Sequence, residues 1–146
     1  MAGGNIVKDT IIFNFPEGIP GFEDYHAYKF IPDEDSPLAQ LICCEDNNIG
    51  FILVPPHVFY ADYEFELDDT AKNILEINEK SDISNIQVWS ILTNNSDISK
   101  ITINLRAPVI LNFNKKIGIQ YILSDDRFST KEPLQIKAEG QEGEVK

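Results

Sequence analysis

The stretch ITINLRAPVILNFNKKIGIQYIL, residues 101–123, decides the fold class of this chain. Two short links, Arg106-Ala107-Pro108 and Asn114-Lys115, divide it into apolar runs at 100–105, 108–113 and 116–123. Short apolar runs bounded by turn residues are typical of β-strands. Asn114-Lys115 has the length of a two-residue hairpin loop, and asparagine tolerates the positive φ that such a turn needs. The stretch therefore predicts consecutive short strands.

The rest of the chain repeats this pattern. Ile11, Phe13 and Phe15 alternate with Ile12 and Asn14, as in a strand with one buried face. The spacing predicts further strands at 22–32, 38–44, 49–54, 63–67 and 84–93, with a proline-glycine loop at 16–21 and an acidic link at 45–48. Many short strands at this spacing predict an all-β fold, a small antiparallel β-barrel-like domain with one short helix.

The helix is predicted from Asp68 to about Asn78. Asp68 or Asp69 can cap its first turn, because a carboxylate accepts hydrogen bonds from the free amides there. An apolar stripe at helical spacing follows, made by Ala71, Ile74 and Leu75. Because the stripe is short, we expect the helix to plug one end of the barrel or to cover a sheet edge.

The length of 146 residues fits one domain, which we place at 8–137, followed by an acidic tail at 138–146 that we expect to be disordered. The N-terminus lacks the basic and apolar regions of a signal peptide, and no run approaches the roughly 18 apolar residues of a membrane helix. Cys43 and Cys44 are adjacent, so in a strand they point to opposite faces and form no mutual disulfide. These features indicate a cytoplasmic protein.

The charge is strongly negative, with 24 acidic residues against 12 Lys and Arg and a formal net charge of -12. Such a surface repels phosphate backbones and anionic lipids, which argues against direct nucleic-acid or membrane binding. A basic protein is the complementary partner. The alternative is that the acidity serves only to keep the protein in solution.

Catalytic motifs are not found in the sequence. It has no glycine-rich phosphate loop, no metal-ligand spacing and no nucleophile elbow, so we expect no enzyme activity, no cofactor and no metal. Cys43 and Cys44 fall in an apolar strand, where a buried thiol is usually inert. The rival interpretation is a barrel that binds a small apolar ligand without catalysis.

Several motifs together resemble a known family. They are FPEGIPGFE at 15–23, FILVPP at 51–56, Asp62-Tyr63, ITINLRAPVILN at 101–112 and GIQYIL at 118–123. Their order and spacing are similar to those of the bacterial flagellar assembly factor FliW family over about residues 9–135. The resemblance implies a β-barrel-like domain without enzymatic activity and two protein partners. One is flagellin. The other is the carbon storage regulator CsrA, a basic RNA-binding dimer whose repression of flagellin mRNA the protein would relieve. Free flagellin would compete for the protein.

For the partner-binding surface we predict exposed acids beside apolar groups. The candidates are Asp33, Glu34, Asp35 and Leu38 in one loop, and Tyr60, Glu64, Glu66 and Asp68 further along. Tyrosine is favoured at interface hot spots. The alternative for each acid is an ordinary solvated residue. Tyr63 shares a face with Phe65 and Leu67, so it is expected in the core.

The motif residues themselves have structural interpretations. Gly18 and Gly21 are expected to supply unusual backbone dihedrals in the first loop, where prolines stiffen the chain. Asn104 falls on the opposite face from Ile103 and Leu105, so its side chain is expected to bond the backbone of the following turn. We therefore assign these motif residues to holding the fold and not to direct contact with a partner.

Overall fold

The computed structural model describes residues 10–93 and 96–134. Within these ranges the chain forms nine strands and one α-helix. The strands are β1 (Ile11–Asn14), β2 (Ala27–Pro32), β3 (Ala39–Cys43), β4 (Gly50–Val54), β5 (Ile86–Leu92), β6 (Thr102–Ile103), β7 (Val109–Asn112), β8 (Ile117–Gln120) and β9 (Glu132–Pro133). The α-helix is α1 (Asp69–Ile74), and 3₁₀ turns lie at Pro56–Val58, Lys80–Asn85 and Ile98–Lys100.

Seven of the strands close into a barrel, in the order β4-β3-β2-β1-β8-β7-β5 and back to β4. Strand β5 closes the ring, because its first half pairs with β7 and its second half pairs with β4. Strands β6 and β9 extend the sheet beside the end of β5. The predicted all-β barrel with one short helix is confirmed.

One ladder differs from the predicted antiparallel pattern. Strands β1 and β8 run parallel and meet at Asn14 and Ile117. The other six ladders of the ring are antiparallel. Strand direction cannot alternate all the way around a ring with an odd number of strands, so a seven-stranded barrel must contain such a parallel pair.

Large side chains fill the barrel interior. Phe13 and Phe15 of the first strand region are fully buried, whereas Ile12 between them is 59% exposed, which confirms the predicted alternation. Tyr28, Phe30 and Leu41 complete the centre of this cluster. The aromatic rings meet edge to face, for example Phe13 and Phe113 at 4.9 Å between centroids. Edge-to-face contact adds to the stabilisation that comes from burial.

Strand β7 is buried on both faces. Val109 and Leu111 belong to the interior cluster, and Ile110 belongs to a second cluster with Ala71, Leu75 and Ile77. The prediction that the helix plugs the barrel end or covers an edge is therefore wrong. Helix α1 lies on the outer face of β7 and β8, because that face is itself apolar and needs a cover.

The helix is also shorter than the predicted 68–78. The amide of Ile77 donates to the carbonyl of Lys72 at 2.9 Å, and the amide of Glu76 donates to Asn73 at 3.2 Å. Glu76 has a φ of 59°, in the left-handed region. This pair of bonds with a left-handed residue is the Schellman arrangement, which ends a helix.

Several strand boundaries differ from the predictions. The predicted strand at 22–32 begins only at Ala27, and the predicted strand at 63–67 pairs with no other strand of the described chain. Strand β9 was not predicted. The predicted tail at 138–146 lies outside the described residues, and the domain limits 8–137 stay a prediction.

The turn between β7 and β8 also differs from the two-residue hairpin. Asn112 pairs with Ile117, so four residues form the loop. The side-chain carbonyl of Asn112 accepts the amides of Asn114 and Lys115 at 3.0 and 3.1 Å. Lys116, with a φ of 60°, is the left-handed residue, so the prediction for Asn114 is wrong. The Asn112 side chain organises the turn, and the amide of Lys116 closes it by donating to the carbonyl of Asn112 at 2.8 Å.

The expected roles of the motif residues are confirmed. Gly18 and Gly21 have φ values of 69° and 91°. The side-chain oxygen of Asn104 accepts the amides of Arg106 and Ala107 at 3.1 and 2.9 Å. Both motifs therefore hold turns of the backbone.

Gly18→Ala should destabilise the protein more than Gly21→Ala. A Cβ at Gly18 would lie 2.7 Å from the Cα of Glu23, whereas a Cβ at Gly21 would meet nothing within 4 Å. Both positions carry the left-handed strain of about 1–2 kcal/mol, and the backbone clash adds about 1–3 kcal/mol at Gly18 alone. Urea denaturation of both variants measures the difference. Equal losses would show that the loop yields freely around Gly18.

Candidate protein-binding surface

Residues 62–68 form an acidic segment that covers part of the barrel's outer face. Tyr63 is 3% exposed, and Phe65 and Leu67 are half-buried, whereas Asp62, Glu64 and Glu66 are exposed. The predicted division into an apolar and an acidic face is confirmed. The apolar side chains hold the segment on the barrel, so the three carboxylates point to solvent.

Tyr63 belongs to the core, as predicted from its shared face. Its hydroxyl donates to the carbonyl of Leu105. Its ring lies 4.9 Å from that of Phe128 and 5.5 Å from that of Phe65, measured between centroids. Burial raises the pKa of Tyr63 well above its usual range, so the hydroxyl stays a hydrogen-bond donor. This bond fixes the start of the acidic segment against the β6–β7 link.

Asp68 ends the segment and caps helix α1. Its Oδ1 accepts the amide of Ala71 at 2.8 Å, which confirms the predicted cap. The Tyr121 hydroxyl accepts the Asp68 amide at 3.1 Å and donates to the carbonyl of Glu66 at 3.3 Å. Asp68 is therefore engaged in holding the chain, whereas Glu64 and Glu66 make no side-chain hydrogen bond within the described residues.

Tyr60 lies half-buried beside the segment. Its hydroxyl donates to the carbonyl of Pro133 at 3.1 Å, and burial, with a smaller contribution from Glu132, raises its pKa. With Phe59, Leu105, Arg127 and Phe128 it lines an open groove of about 690 Å³, which we name the Phe128 groove. Asp62, Glu64 and Glu66 also line this groove, and an aromatic side chain at its edge is suited to a protein contact.

The second predicted site, residues 33–38, forms an acidic turn. The Ser36 hydroxyl donates to Asp33 at 2.7 Å, and the Asp35 amide donates to Asp33 at 3.1 Å. The hydrogen bond from Ser36 is the main cause that lowers the pKa of Asp33. Asp33 therefore organises the turn, and Glu34 and Asp35 are left as its exposed acids.

The two predicted sites border the same hydrophobic cluster. Leu38 and Tyr60 both pack against the cluster of Val54, Tyr63 and Ile103. The acids of the turn face a separate groove of about 490 Å³, lined also by Ile31 and Ile52. The structure thus places Glu64, Glu66 and Asp68 in the acidic segment with Tyr60 beside it. It places Asp33, Glu34, Asp35 and Leu38 beside a different groove.

Sequence reasoning missed several residues around the acidic segment. Ile83 is 50% exposed and lines a third groove, and Arg127 and Phe128 line the Phe128 groove. Ile83 stands alone among polar residues at 80–85, so no periodic pattern marks it. The sequence feature that marks Ile83 is its position as a lone isoleucine in a polar stretch.

Cys43 is buried and both histidines contact the backbone, whereas the expectation of a buried thiol is wrong for Cys44. Burial raises the pKa of the Cys43 thiol, which opposes formation of a thiolate nucleophile, and Cys44 is exposed and also free. The rings of His26 and His57 each contact a backbone carbonyl, of Phe15 and Tyr63, at 2.9 Å.

Within residues 10–93 and 96–134, no three His, Cys, Asp or Glu side chains are grouped so that they could hold a metal ion. Over the same range, no helix has the length and apolar character to cross a membrane. The described residues do form an acidic surface beside open grooves.

The fold and this surface define a seven-stranded barrel protein with an acidic segment on its outer face. A family model described as FliW protein matches residues 2–134. The chain is 39% identical over 131 residues to flagellar assembly factor FliW of Bacillus pumilus, covering 89% of each chain. It is 36% identical over 129 residues to that of Bacillus subtilis, covering 88% of each. The chain belongs to the FliW family.

A solved structure supports the assignment of the chain to this family. A crystal structure of the flagellar assembly factor FliW matches with a TM-score of 0.76 at 32% identity. The match covers 86% of this chain and 85% of that one. The predicted family and its barrel fold are confirmed.

Asp68→Ala should lower the free energy of unfolding by about 1 kcal/mol, because the first turn of α1 loses its side-chain cap. Asp69→Ala is the matched control, since Asp69 is an exposed first-turn acid that accepts no capping bond among the described residues. It should cost only a few tenths of a kcal/mol, roughly the dipole contribution. Chemical denaturation of both variants measures the two effects, and a larger loss for Asp69→Ala would contradict the assignment of the cap.

Proposed function

We propose that this chain acts in the cytoplasm as a non-catalytic, protein-binding regulator of flagellum assembly. It binds a CsrA-type RNA-binding regulator and relieves repression of flagellin mRNA. It also binds flagellin, so that the two partners exchange. Support for the general role comes from relatives that are named flagellar assembly factors. The choice of partners rests on the resemblance of the motifs to this family.

The observation that carries the proposal is the acidic segment. Asp62, Glu64 and Glu66 stand exposed above a buried apolar face, with open grooves beside them. Complementary charges speed the encounter of two proteins and disfavour partners of the same sign. A basic RNA-binding protein matches this surface, and RNA itself, with its phosphate charges, does not.

The filled barrel argues against the alternative of a small apolar ligand inside it. Phe13, Phe15, Tyr28 and Leu41 are fully buried within the interior cluster, and the grooves described above lie on the outer surface. A barrel that holds a ligand keeps interior space for it. The geometry therefore favours the outer surface as the binding region.

The double variant Glu64→Lys/Glu66→Lys should slow association with a CsrA-type regulator on the order of tenfold at low salt, because it reverses the charge that attracts the partner. Glu17→Lys/Asp24→Lys changes the net charge equally at two exposed acids elsewhere. Stopped-flow association at several salt concentrations measures both. Equal slowing in the two variants would mean that net charge matters and this segment does not. The difference should shrink as salt rises.

The mechanism of antagonism has two forms. The protein could cover the RNA-binding groove of the regulator, or it could bind elsewhere and act at a distance. A titration of labelled RNA bound to the regulator with this protein distinguishes them. A stable ternary complex would rule out simple competition, and displacement without any ternary complex would support it.

A further inference from the structure

The acidic segment has the side-chain pattern of a β-strand but no strand beside it. From Tyr63 to Leu67 buried or half-buried residues alternate with exposed ones, which is the period of an extended strand. No strand of the described chain pairs with it. It lies flat on the barrel's outer face, held by side chains from the clusters around Ile110 and Leu105.

Two hydrogen bonds show which way its backbone groups point. The ring of His57 bonds the carbonyl of Tyr63, and the hydroxyl of Tyr121 bonds the carbonyl of Glu66. In an extended strand, alternate residues direct their amides and carbonyls to opposite edges. Phe65 and Leu67 therefore share the edge that faces His57.

That edge is unsatisfied. The amides and carbonyls of Phe65 and Leu67 make no hydrogen bond to any other part of the described protein. Two residues at this spacing offer four groups, the set that an antiparallel neighbour would bond. Unpaired strand edges of this kind are templates for the addition of another strand.

An apolar groove runs along the same edge. It has a volume of about 610 Å³ and is lined by Ile83, Ile86, Val88 and Ile110, with His57 at one side and Lys72 as the one lysine of the lining. We name it the Ile83 groove. The exposed Ile83 shows that part of this apolar surface stays open to solvent. A strand laid along Phe65 and Leu67 would direct alternate side chains into it.

The charges of the surface select the occupant. Residues of an added strand that point outward lie beside Glu64 and Glu66, where opposite charges stabilise cross-strand pairs. A second copy of this chain would bring a further share of its charge of -12 to these carboxylates, and like charges placed opposite are destabilising. Lys72 also lines the groove, but the two carboxylates outnumber it, so the occupant is basic on one face and apolar on the other.

We propose that a partner segment with alternating basic and apolar residues adds as a β-strand along the Phe65–Leu67 edge. Its apolar side chains fill the Ile83 groove, and its basic side chains pair with Glu64 and Glu66. This binding mode rests on the proposed function only in requiring a protein partner. It does not depend on which protein supplies the segment.

The test uses the full chain and a synthetic capped peptide, Lys-Val-Lys-Val-Lys-Val-Lys. In the proposed pairing the valines lie opposite Phe65 and Leu67, so their amides bond the protein while the lysine amides point away. N-methylation of the valine amides should weaken binding at least about tenfold, because the bonds are lost. N-methylation of the lysine amides is the matched control and should leave binding nearly unchanged. Calorimetry measures the three affinities.

Hydrogen exchange gives a second readout on the protein itself. Peptide binding should slow exchange at the amides of Phe65 and Leu67 and leave those of Glu64 and Glu66 as they were. Ile83→Lys should weaken peptide binding on the order of tenfold by placing a charge in the groove. Ile12→Lys, at a similarly exposed isoleucine on β1, is the control for the added charge.

Each outcome of these experiments supports or overturns the proposed strand addition. Equal weakening by both methylated peptides, or unchanged exchange at Phe65 and Leu67, would overturn strand addition. Slow exchange at these amides without peptide, with a dimer in sedimentation, would show that a second copy occupies the edge. If the peptide binds as expected and a CsrA-type regulator does not bind, the proposed partner is wrong and the binding mode stands. If the regulator binds and hydrogen exchange at Phe65 and Leu67 is unaffected, the proposed partner stands and the binding mode is wrong.

Discussion

Strand β7 is buried on both faces, and this constraint determines much of the surface of the protein. Its inward residues, Val109 and Leu111, complete the barrel interior, and its outward residue Ile110 needs a cover of its own. The chain supplies that cover with the acidic segment and helix α1. Because a strand alternates its side chains, covering the barrel with Tyr63, Phe65 and Leu67 places the intervening carboxylates in solvent. The acidic surface is thus a consequence of how the barrel is covered.

Asn112 joins the two layers. Its side-chain nitrogen donates to the carbonyl of Leu75 at 2.7 Å, and its oxygen accepts the two amides of the following turn. It is 1% exposed, and a buried carboxamide is tolerated because all of these groups are bonded. One side chain therefore ties the end of α1, strand β7 and the turn to β8. The position of the helix is specified by this bond as well as by apolar contact.

The sequence predicted the class of fold and the facing of side chains better than it predicted pairing. Alternation correctly predicted that Phe13, Phe15 and Tyr63 are buried, since burial on one face leaves a period of two in the sequence. The same alternation at 63–67 suggested an ordinary strand, because periodicity records which face is buried and not whether an edge is bonded. The end of α1 was missed because the Schellman turn uses Glu76, a residue with no special preference for the left-handed region.

The candidate binding surface was also predicted only in part, because periodicity does not record which groups are hydrogen-bonded. Composition and spacing showed that acids stand beside apolar residues, and Glu64 and Glu66 are exposed as expected. Asp33 and Asp68 are acids too, and their hydrogen bonds to local backbone and hydroxyl groups, which depend on three-dimensional turns, give them structural roles. Ile83 was marked only as a lone isoleucine in a polar stretch, and its exposure depends on residues that are distant in the sequence.

The parallel contact between β1 and β8 has a consequence for folding. It joins residues roughly a hundred positions apart, the kind of long-range pairing that slows folding because a large loop must first close. The barrel cannot close until the ribosome has released β8, so β1 to β4 remain an unclosed sheet during synthesis. During that interval the unpaired edges of the sheet are exposed, and the chain is most open to unwanted association.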